Sequence, residues 1–264
     1  MKSAAVLSLA ATVAAAAVPC AAVPHGGGPG KHHQSYPTTT IAGIEVVDTQ
    51  IVRDARKLIE TSGFHDYVVK HMIRSWLYGA QQLNQNETLK ALVDPEAQAI
   101  TILLHDLGWD MSPNSPFTTK TDRFEVDSAN AARRFVENHP DGKKWSADKV
   151  QQMWDAIALQ GAYGIAQYKE PLIWGSIQGI AVDYRGPFFG INQTIVDQVT
   201  AAYPNDDLLY GTNETFKWFC EYKPETTYDT WVENWGNYFV PGYNPVPYRQ
   251  VDQFRTVFGK NCLP

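Results

Sequence analysis

Apolar residues recur at intervals of three and four along most of the chain, which is the spacing of one face of an α-helix. Asp48 precedes the first such stripe as a suitable N-cap, and Gly63 follows it. The stripe consists of Ile51, Val52, Ala55, Leu58 and Ile59. We interpret the chain from Ile44 onward as helical, because no segment shows the alternation that is typical of a strand. The pattern predicts an all-α helical bundle that forms a single domain.

Further helices are predicted at about residues 66–82, 94–106, 123–138, 146–159, 172–184 and 193–203. The helix that begins at Asp94 is the best marked, because Asp94 supplies an N-cap and Pro95 a first-turn proline. Its apolar run ends in His105 and Asp106, which we therefore expect in its last turn. Beyond Pro204 the chain is rich in aromatic and turn residues, and its period is unclear.

The N-terminus has the pattern of a secretory signal peptide. Lys2 is followed by an Ala/Val/Leu stretch, and small residues end at Ala22. Residues 1–22 are the expected signal peptide, and residues 23–43, which are rich in Gly, Pro, Ser and Thr, are the expected flexible lead-in. The helical domain is then 44–264, with an aromatic-rich C-terminal cover over 191–264. The sequence predicts a secreted protein.

Cysteines and glycosylation sequons agree with export. Removal of the leader leaves Cys220 and Cys262, which predict one disulfide in an oxidising compartment; the alternative is a buried free thiol at Cys220. Three sequons, at Asn86, Asn192 and Asn213, are candidate glycosylation sites.

The charge of the chain argues against two classes of partner. Its 264 residues have a formal net charge of -6 and contain no block of Lys or Arg. Nucleic acid and anionic membranes are bound through clustered basic residues, so neither is an expected partner. Beyond the leader, no apolar stretch has the roughly 18 residues of a membrane span. The expected partner is a small-molecule substrate.

Four side chains are candidates for a metal site. Burying a carboxylate that has no partner costs on the order of several kcal/mol. Burial of the adjacent pair His105 and Asp106 is therefore expected only if a cation neutralises the charge. His71 shares the inward face of the preceding helix and supplies a third ligand. Asp183 ends an apolar helix whose glycines permit close approach, and it is the candidate fourth ligand. Two nitrogens and two oxygens suit one divalent transition metal, with zinc preferred and iron or manganese as alternatives.

The order His, then His-Asp, then Asp on successive helices resembles the HD-domain superfamily. The sequence segments around these residues are similar to those of its fungal cyanamide hydratase branch, over about residues 45–190. The matching segments are Lys70-His-Met-Ile-Arg-Ser-Trp-Leu-Tyr-Gly79, Leu104-His-Asp-Leu-Gly-Trp109, Arg123-Phe-Glu-Val-Asp-Ser-Ala-Asn-Ala-Ala-Arg133, Trp154-Asp-Ala-Ile-Ala-Leu159 and Gly179-Ile-Ala-Val-Asp-Tyr-Arg-Gly186. A second His-Asp pair, His65-Asp66, is interpreted as a helix start.

The resemblance implies a hydratase or hydrolase that adds metal-activated water to a small nitrile- or cyanamide-like substrate. Asp110 and Glu125 are the candidate acid and base, and Arg74 and Arg123 are candidate contacts of the substrate or of the metal-binding side chains. For each of the four, the alternative is a surface or structural ion pair. The branch usually carries His where this chain has Gln160, so we expect one metal ion, with Gln160 beside the pocket. The alternatives are an HD-type phosphohydrolase, an iron-dependent oxygenase, and a secreted protein of this fold without activity.

Overall fold

The computed structural model describes residues 35–259. The predicted signal peptide and Cys262 lie outside the described residues. The described chain forms a mainly α-helical, single-domain bundle, as predicted, with one small β-hairpin. The strands are β1 (Thr38–Ile41) and β2 (Ile44–Val47). The helices are α1 (Gln50–Thr61), α2 (Asp66–Gln85), α3 (Glu87–Leu92), α4 (Pro95–Leu103), α5 (Phe124–Asn138), α6 (Ala147–Ala158), α7 (Tyr163–Ala166), α8 (Pro171–Arg185), α9 (Gln193–Ala202), α10 (Leu208–Tyr222), α11 (Glu233–Phe239) and α12 (Gln250–Phe258).

The hairpin corrects the prediction of a strand-free chain. β1 and β2 pair antiparallel, with Ile41 opposite Ile44. The two residues between them, Ala42 and Gly43, have φ of 47° and 73°, which a two-residue hairpin turn requires and which glycine adopts without strain. The expected lead-in over 23–43 therefore extends too far, because its last residues form β1 and the turn of the hairpin.

Helix starts follow the capping signals closely. Oδ1 of Asp94 accepts hydrogen bonds from the backbone N–H groups of Glu96 at 2.9 Å and Ala97 at 3.1 Å, as predicted for α4. Asp48 does not cap α1, because that helix begins one residue later than expected and its N-cap is Thr49. The aromatic segment beyond Pro204, which the pattern left open, contains α10, α11 and α12.

The central helix is α2, which is buried around most of its circumference and packs against α4 and α8. Its crossing with α8 is unusually close. A Cβ built on Gly179 would lie 2.9 Å from Cα of Gly79 and 3.1 Å from the carbonyl oxygen of Ser75, so only glycine fits at this point. The close approach brings the next turn of α8, which carries Asp183, within reach of His71 on α2.

The C-terminal helices cover one side of the bundle. Phe216 and Phe219 of α10 are buried, whereas Tyr210 and Tyr238 are exposed, so the aromatic residues of this region divide between core and surface. Among the described helices, none is both long and apolar enough to cross a membrane.

Candidate metal centre

Three side chains converge in the core at the end of α4. His71 comes from α2, and His105 and Asp106 lie in the turn that follows α4; none of the three is more than 1% exposed. Nε2 of His71 and Nε2 of His105 are 3.1 Å apart. Oδ2 of Asp106 lies 3.5 Å from the first nitrogen and 3.2 Å from the second. Three of the four predicted ligands, His71, His105 and Asp106, therefore form one group that could hold a metal ion, the metal group.

The turn that carries two of these residues is fixed at both ends. α4 ends at Leu103, so His105 and Asp106 lie just beyond the helix and not in its last turn as we expected. A short 3-10 helix, Leu107–Trp109, follows them. Within it, the backbone N–H of Gly108 donates to Oγ of Ser128 on α5 at 2.8 Å, which anchors the turn to the neighbouring helix.

The outer hydrogen bonds of the two imidazoles determine which nitrogen carries the proton. Nδ1 of His105 lies 2.7 Å from the carbonyl oxygen of Ile102, and Nδ1 of His71 lies 2.7 Å from Oδ2 of Asp183. Both partners are acceptors, so each Nδ1 carries the proton of a neutral ring and each Nε2 presents a lone pair. Burial lowers the pKa of His71 despite its bond to Asp183, which disfavours a second proton there. Two lone pairs and a carboxylate oxygen thus face one another.

Such a convergence of donors fits a cation. Two ligands at about 2.0–2.1 Å from a zinc ion, in tetrahedral directions, are about 3.3 Å apart. The three separations of 3.1, 3.2 and 3.5 Å are close to one face of that tetrahedron. Oδ1 of Asp106 is also buried and has no hydrogen-bond partner among the described residues. The donor set and this unpartnered oxygen both fit a divalent transition metal.

Asp183, the predicted fourth ligand, lies outside this group of three donors. Its Oδ1 accepts a hydrogen bond from Nε of Arg74 at 2.6 Å, and its Oδ2 accepts from Nη2 of Arg74 and from Nδ1 of His71, each at 2.7 Å. Burial acts to raise the pKa of Asp183, but the bonds from His71 and Arg74 hold it below its usual value. Asp183 instead orients His71, as carboxylates behind metal-binding histidines do.

Arg74 occupies the structural place that was one of the alternatives for it. Its side chain is fully buried, and besides Asp183 it donates to the carbonyl oxygens of Tyr203 at 3.3 Å and Pro204 at 2.9 Å. These bonds use its guanidinium to join α2, α8 and the segment after α9. Arg74 is therefore the ion-pair partner of Asp183, behind His71.

The two candidate acid and base residues differ in their surroundings. Glu125 is buried, and its Oε1 accepts hydrogen bonds from Nη2 of Arg123 at 2.7 Å and from Nε1 of Trp231 at 2.9 Å. Asp110 is buried directly after the 3-10 helix. Its Oδ1 accepts from the backbone N–H of Ser112 at 3.0 Å, and its Oδ2 has no partner within the described chain. Asp110 is thus the carboxylate with a free acceptor.

Gln160 lies next to the metal group. It is 8% exposed, and its Nε2 donates to the backbone carbonyl of His105 at 2.8 Å. Its amide therefore supports the turn that carries two of the donors. The second His-Asp pair behaves as interpreted, because His65 is the N-cap residue of α2 and both it and Asp66 are exposed.

Tyr184 and Trp109 contact the group but were missed from the sequence. The ring of Tyr184 lies 4.9 Å from that of His71 between centroids, and the ring of Trp109 lies 6.3 Å from it. Burial of its hydroxyl, followed by the negative charge of Asp106, raises the pKa of Tyr184 well above its usual range. Tyr184 directly follows the predicted ligand Asp183, and Trp109 belongs to the short helix that follows Asp106. This closeness in the sequence is the signal that could have identified both aromatics.

The remaining predicted sites lie on other parts of the molecule. Asn86 and Asn192 are exposed N-cap residues of α3 and α9, while Asn213 is half-buried on α10. Cys220 is a buried free thiol within the described residues, and with Cys262 outside them the disulfide stays a prediction. A cavity of about 390 Å³ lies between the hairpin and α2, α3 and α4, and none of the metal-group residues lines it.

Comparison with known proteins gives no family. No model of a known protein family matches this chain, and no curated protein matches it significantly.

Proposed function

We propose that this protein is a metal-dependent hydratase or hydrolase that adds water to a small polar substrate of the nitrile or cyanamide type. The observation that carries the proposal is the buried convergence of two imidazole lone pairs and one carboxylate oxygen, 3.1 to 3.5 Å apart. The substrate class rests on the resemblance of the motifs to the cyanamide hydratase branch of the HD-domain superfamily. Export through the N-terminal leader belongs to the same proposal.

His71, His105 and Asp106 would hold the ion, which we propose to be a single zinc. Three protein donors leave positions for water and substrate, as in catalytic zinc sites. When bound, such an ion supplies Lewis acidity, which acidifies water and polarises an unsaturated carbon–nitrogen bond. Gln160 offers no imidazole for a second ion, and its amide nitrogen is bonded to the backbone of His105.

The protein groups around the ion have separate tasks. Asp183 accepts a hydrogen bond from Nδ1 of His71 and so keeps the Nε2 lone pair available. Proton transfer to and from the substrate falls to Asp110, because its Oδ2 is free whereas Glu125 is bonded to Arg123 and Trp231.

A second candidate function is iron-dependent oxygenation. Two histidines and one carboxylate are the donor set of non-haem iron oxygenases as well as of zinc hydrolases. The phosphohydrolase alternative has less support. Arg74, the buried cation nearest His71 in sequence, is committed to Asp183 and to backbone carbonyls, and so does not present a free guanidinium to a phosphate.

Elemental analysis of the purified full-length protein, followed by a panel of cyanamide and nitriles, tests the proposal. We expect about one zinc per chain, and urea or amide release that chelation abolishes and zinc restores. His105→Ala should lose both metal and product, whereas His65→Ala, which changes an exposed histidine, should lose neither.

Three results would decide against the proposal. A protein without stoichiometric metal would remove the enzyme hypothesis. Bound iron with oxygen consumption would favour oxygenation. Stoichiometric zinc without product from any member of the panel would overturn the substrate class.

A further inference from the structure

Tyr184 connects the buried metal group with the surface. It follows Asp183 on α8, and its ring lies against that of His71, with centroids 4.9 Å apart. The three donor residues are at most 1% exposed, whereas Tyr184 is 37% exposed. The side chain of Tyr184 therefore extends from His71 to the molecular surface.

The hydroxyl of Tyr184 has a proton to share. It lies 3.0 Å from Oγ1 of Thr212 on α10. Two hydroxyls contain two protons, and one hydrogen bond between them uses one of these. No other partner of either hydroxyl occurs within the described residues. One O–H group of the pair thus remains available as a donor.

A neighbouring pair one turn along α10 is already satisfied. Thr215 is bonded to the hydroxyl of Tyr67, and its Oγ1 also contacts Sδ of Met111 at 3.9 Å. Thr215 and Tyr67 are 0% and 7% exposed, so this pair is closed off from solvent. The difference singles out Tyr184 and Thr212 as the pair with a spare proton on a tyrosine that is partly exposed.

We propose that the Tyr184 hydroxyl donates a hydrogen bond to a ligand of the metal group, and that Thr212 positions this hydroxyl. The inference rests on the proposed function. The ligand class is a small anion or a small polar molecule with a terminal lone pair, because the donors are buried and the rings of Tyr184 and Trp109 lie against His71. A helix outside the motif-bearing region, α10, thereby contributes to ligand recognition.

Azide binding to the Co²⁺-loaded full-length protein, followed by visible absorption, tests this role without any turnover. Tyr184→Phe should raise the azide Kd about tenfold, which corresponds to the loss of one hydrogen bond to a charged acceptor. Thr212→Val should raise it about threefold, and Thr212→Ser, which retains a hydroxyl, should restore the original Kd. Tyr163→Phe is the matched control, because Tyr163 is another tyrosine that is 37% exposed. Its ring lies beside Arg185 of α8, the helix that also carries Tyr184.

The outcomes separate this inference from the proposed function. If the unaltered protein fails to bind Co²⁺, the metal site itself is wrong. If Co²⁺ binds but azide does not perturb its spectrum, or if Tyr184→Phe binds Co²⁺ and azide as tightly as the unaltered protein, the role of Tyr184 is overturned and the metal site stands. Equal azide affinities for Thr212→Val and Thr212→Ser would overturn the positioning role of Thr212.

Discussion

Replacing Asp183 with asparagine separates an orienting carboxylate from a ligand. The native side chain accepts three buried hydrogen bonds, two from Arg74 and one from His71, at 2.6 to 2.7 Å. Asp183→Asn keeps the shape but removes the charge and one of the two acceptor oxygens. The Arg74 guanidinium then stays buried without a counter-charge, and the Nδ1 proton of His71 loses its acceptor or bonds a weaker one.

Two measurable effects of different size follow. Removing one partner of a buried ion pair typically costs about 3–5 kcal/mol, and since asparagine retains one acceptor we expect a loss of about 3 kcal/mol in the free energy of unfolding. Loss of a carboxylate behind a metal-binding histidine typically lowers metal affinity about 10- to 100-fold, which is about 1.4–2.7 kcal/mol. Urea unfolding measures the first effect, and zinc competition against a chromogenic chelator measures the second.

Asp127→Asn is the matched control. Asp127 is also buried, and its Oδ2 pairs with the buried Nζ of Lys223 at 2.6 Å. Its replacement should destabilise the fold to a similar degree and leave zinc affinity unchanged. A loss of zinc affinity for Asp183→Asn as complete as that for Asp106→Asn would make Asp183 a direct ligand. Zinc affinity equal to that of the Asp127→Asn control would remove its orienting role.

Two further predictions concern stability. Burial lowers the pKa of His71, so below about pH 6.5 the unfolded metal-free chain takes up a proton that the folded chain resists. The free energy of unfolding should therefore decrease as the pH decreases, by at most about 1.4 kcal/mol per pH unit. Urea unfolding between neutral and mildly acidic pH checks this, and a slope unchanged in His71→Gln would contradict it. Gly179→Ala should destabilise by about 1–3 kcal/mol, because the new Cβ meets the backbone of Gly79 at 2.9 Å. Gly164→Ala, with nothing within 4 Å of the new Cβ, should show no such loss in the same assay.

The helices were predictable wherever local signals agreed with the tertiary packing. α4 begins where Asp94 and Pro95 indicate, because capping satisfies backbone N–H groups within the segment itself. The hairpin was missed because Ile44, Val47 and Ile51 are also spaced at intervals of three and four. That spacing fits a helix as well as a strand that ends before a helix.

Sequence reasoning found most of the metal group but not how its neighbours are bonded. His71, His105 and Asp106 were predicted because a buried imidazole and carboxylate need a compensating charge wherever they meet. Asp183, the predicted fourth ligand, lies beside them and faces Nδ1 of His71. A linear motif states which helix carries a carboxylate, but it does not state whether that carboxylate faces Nε2 or Nδ1 of a histidine on another helix.

By itself, the sequence determined the helical class, most helix starts and three donor residues, because periodicity, caps and the cost of burying charge are properties of short segments. Tertiary structure decided what these segments do together. The close crossing of α2 and α8 at Gly179 puts Asp183 behind His71 and commits Arg74 to an ion pair, and α10 brings Thr212 to Tyr184. These are contacts between residues 28 to 112 positions apart in the chain, whose distances and directions depend on how whole helices pack.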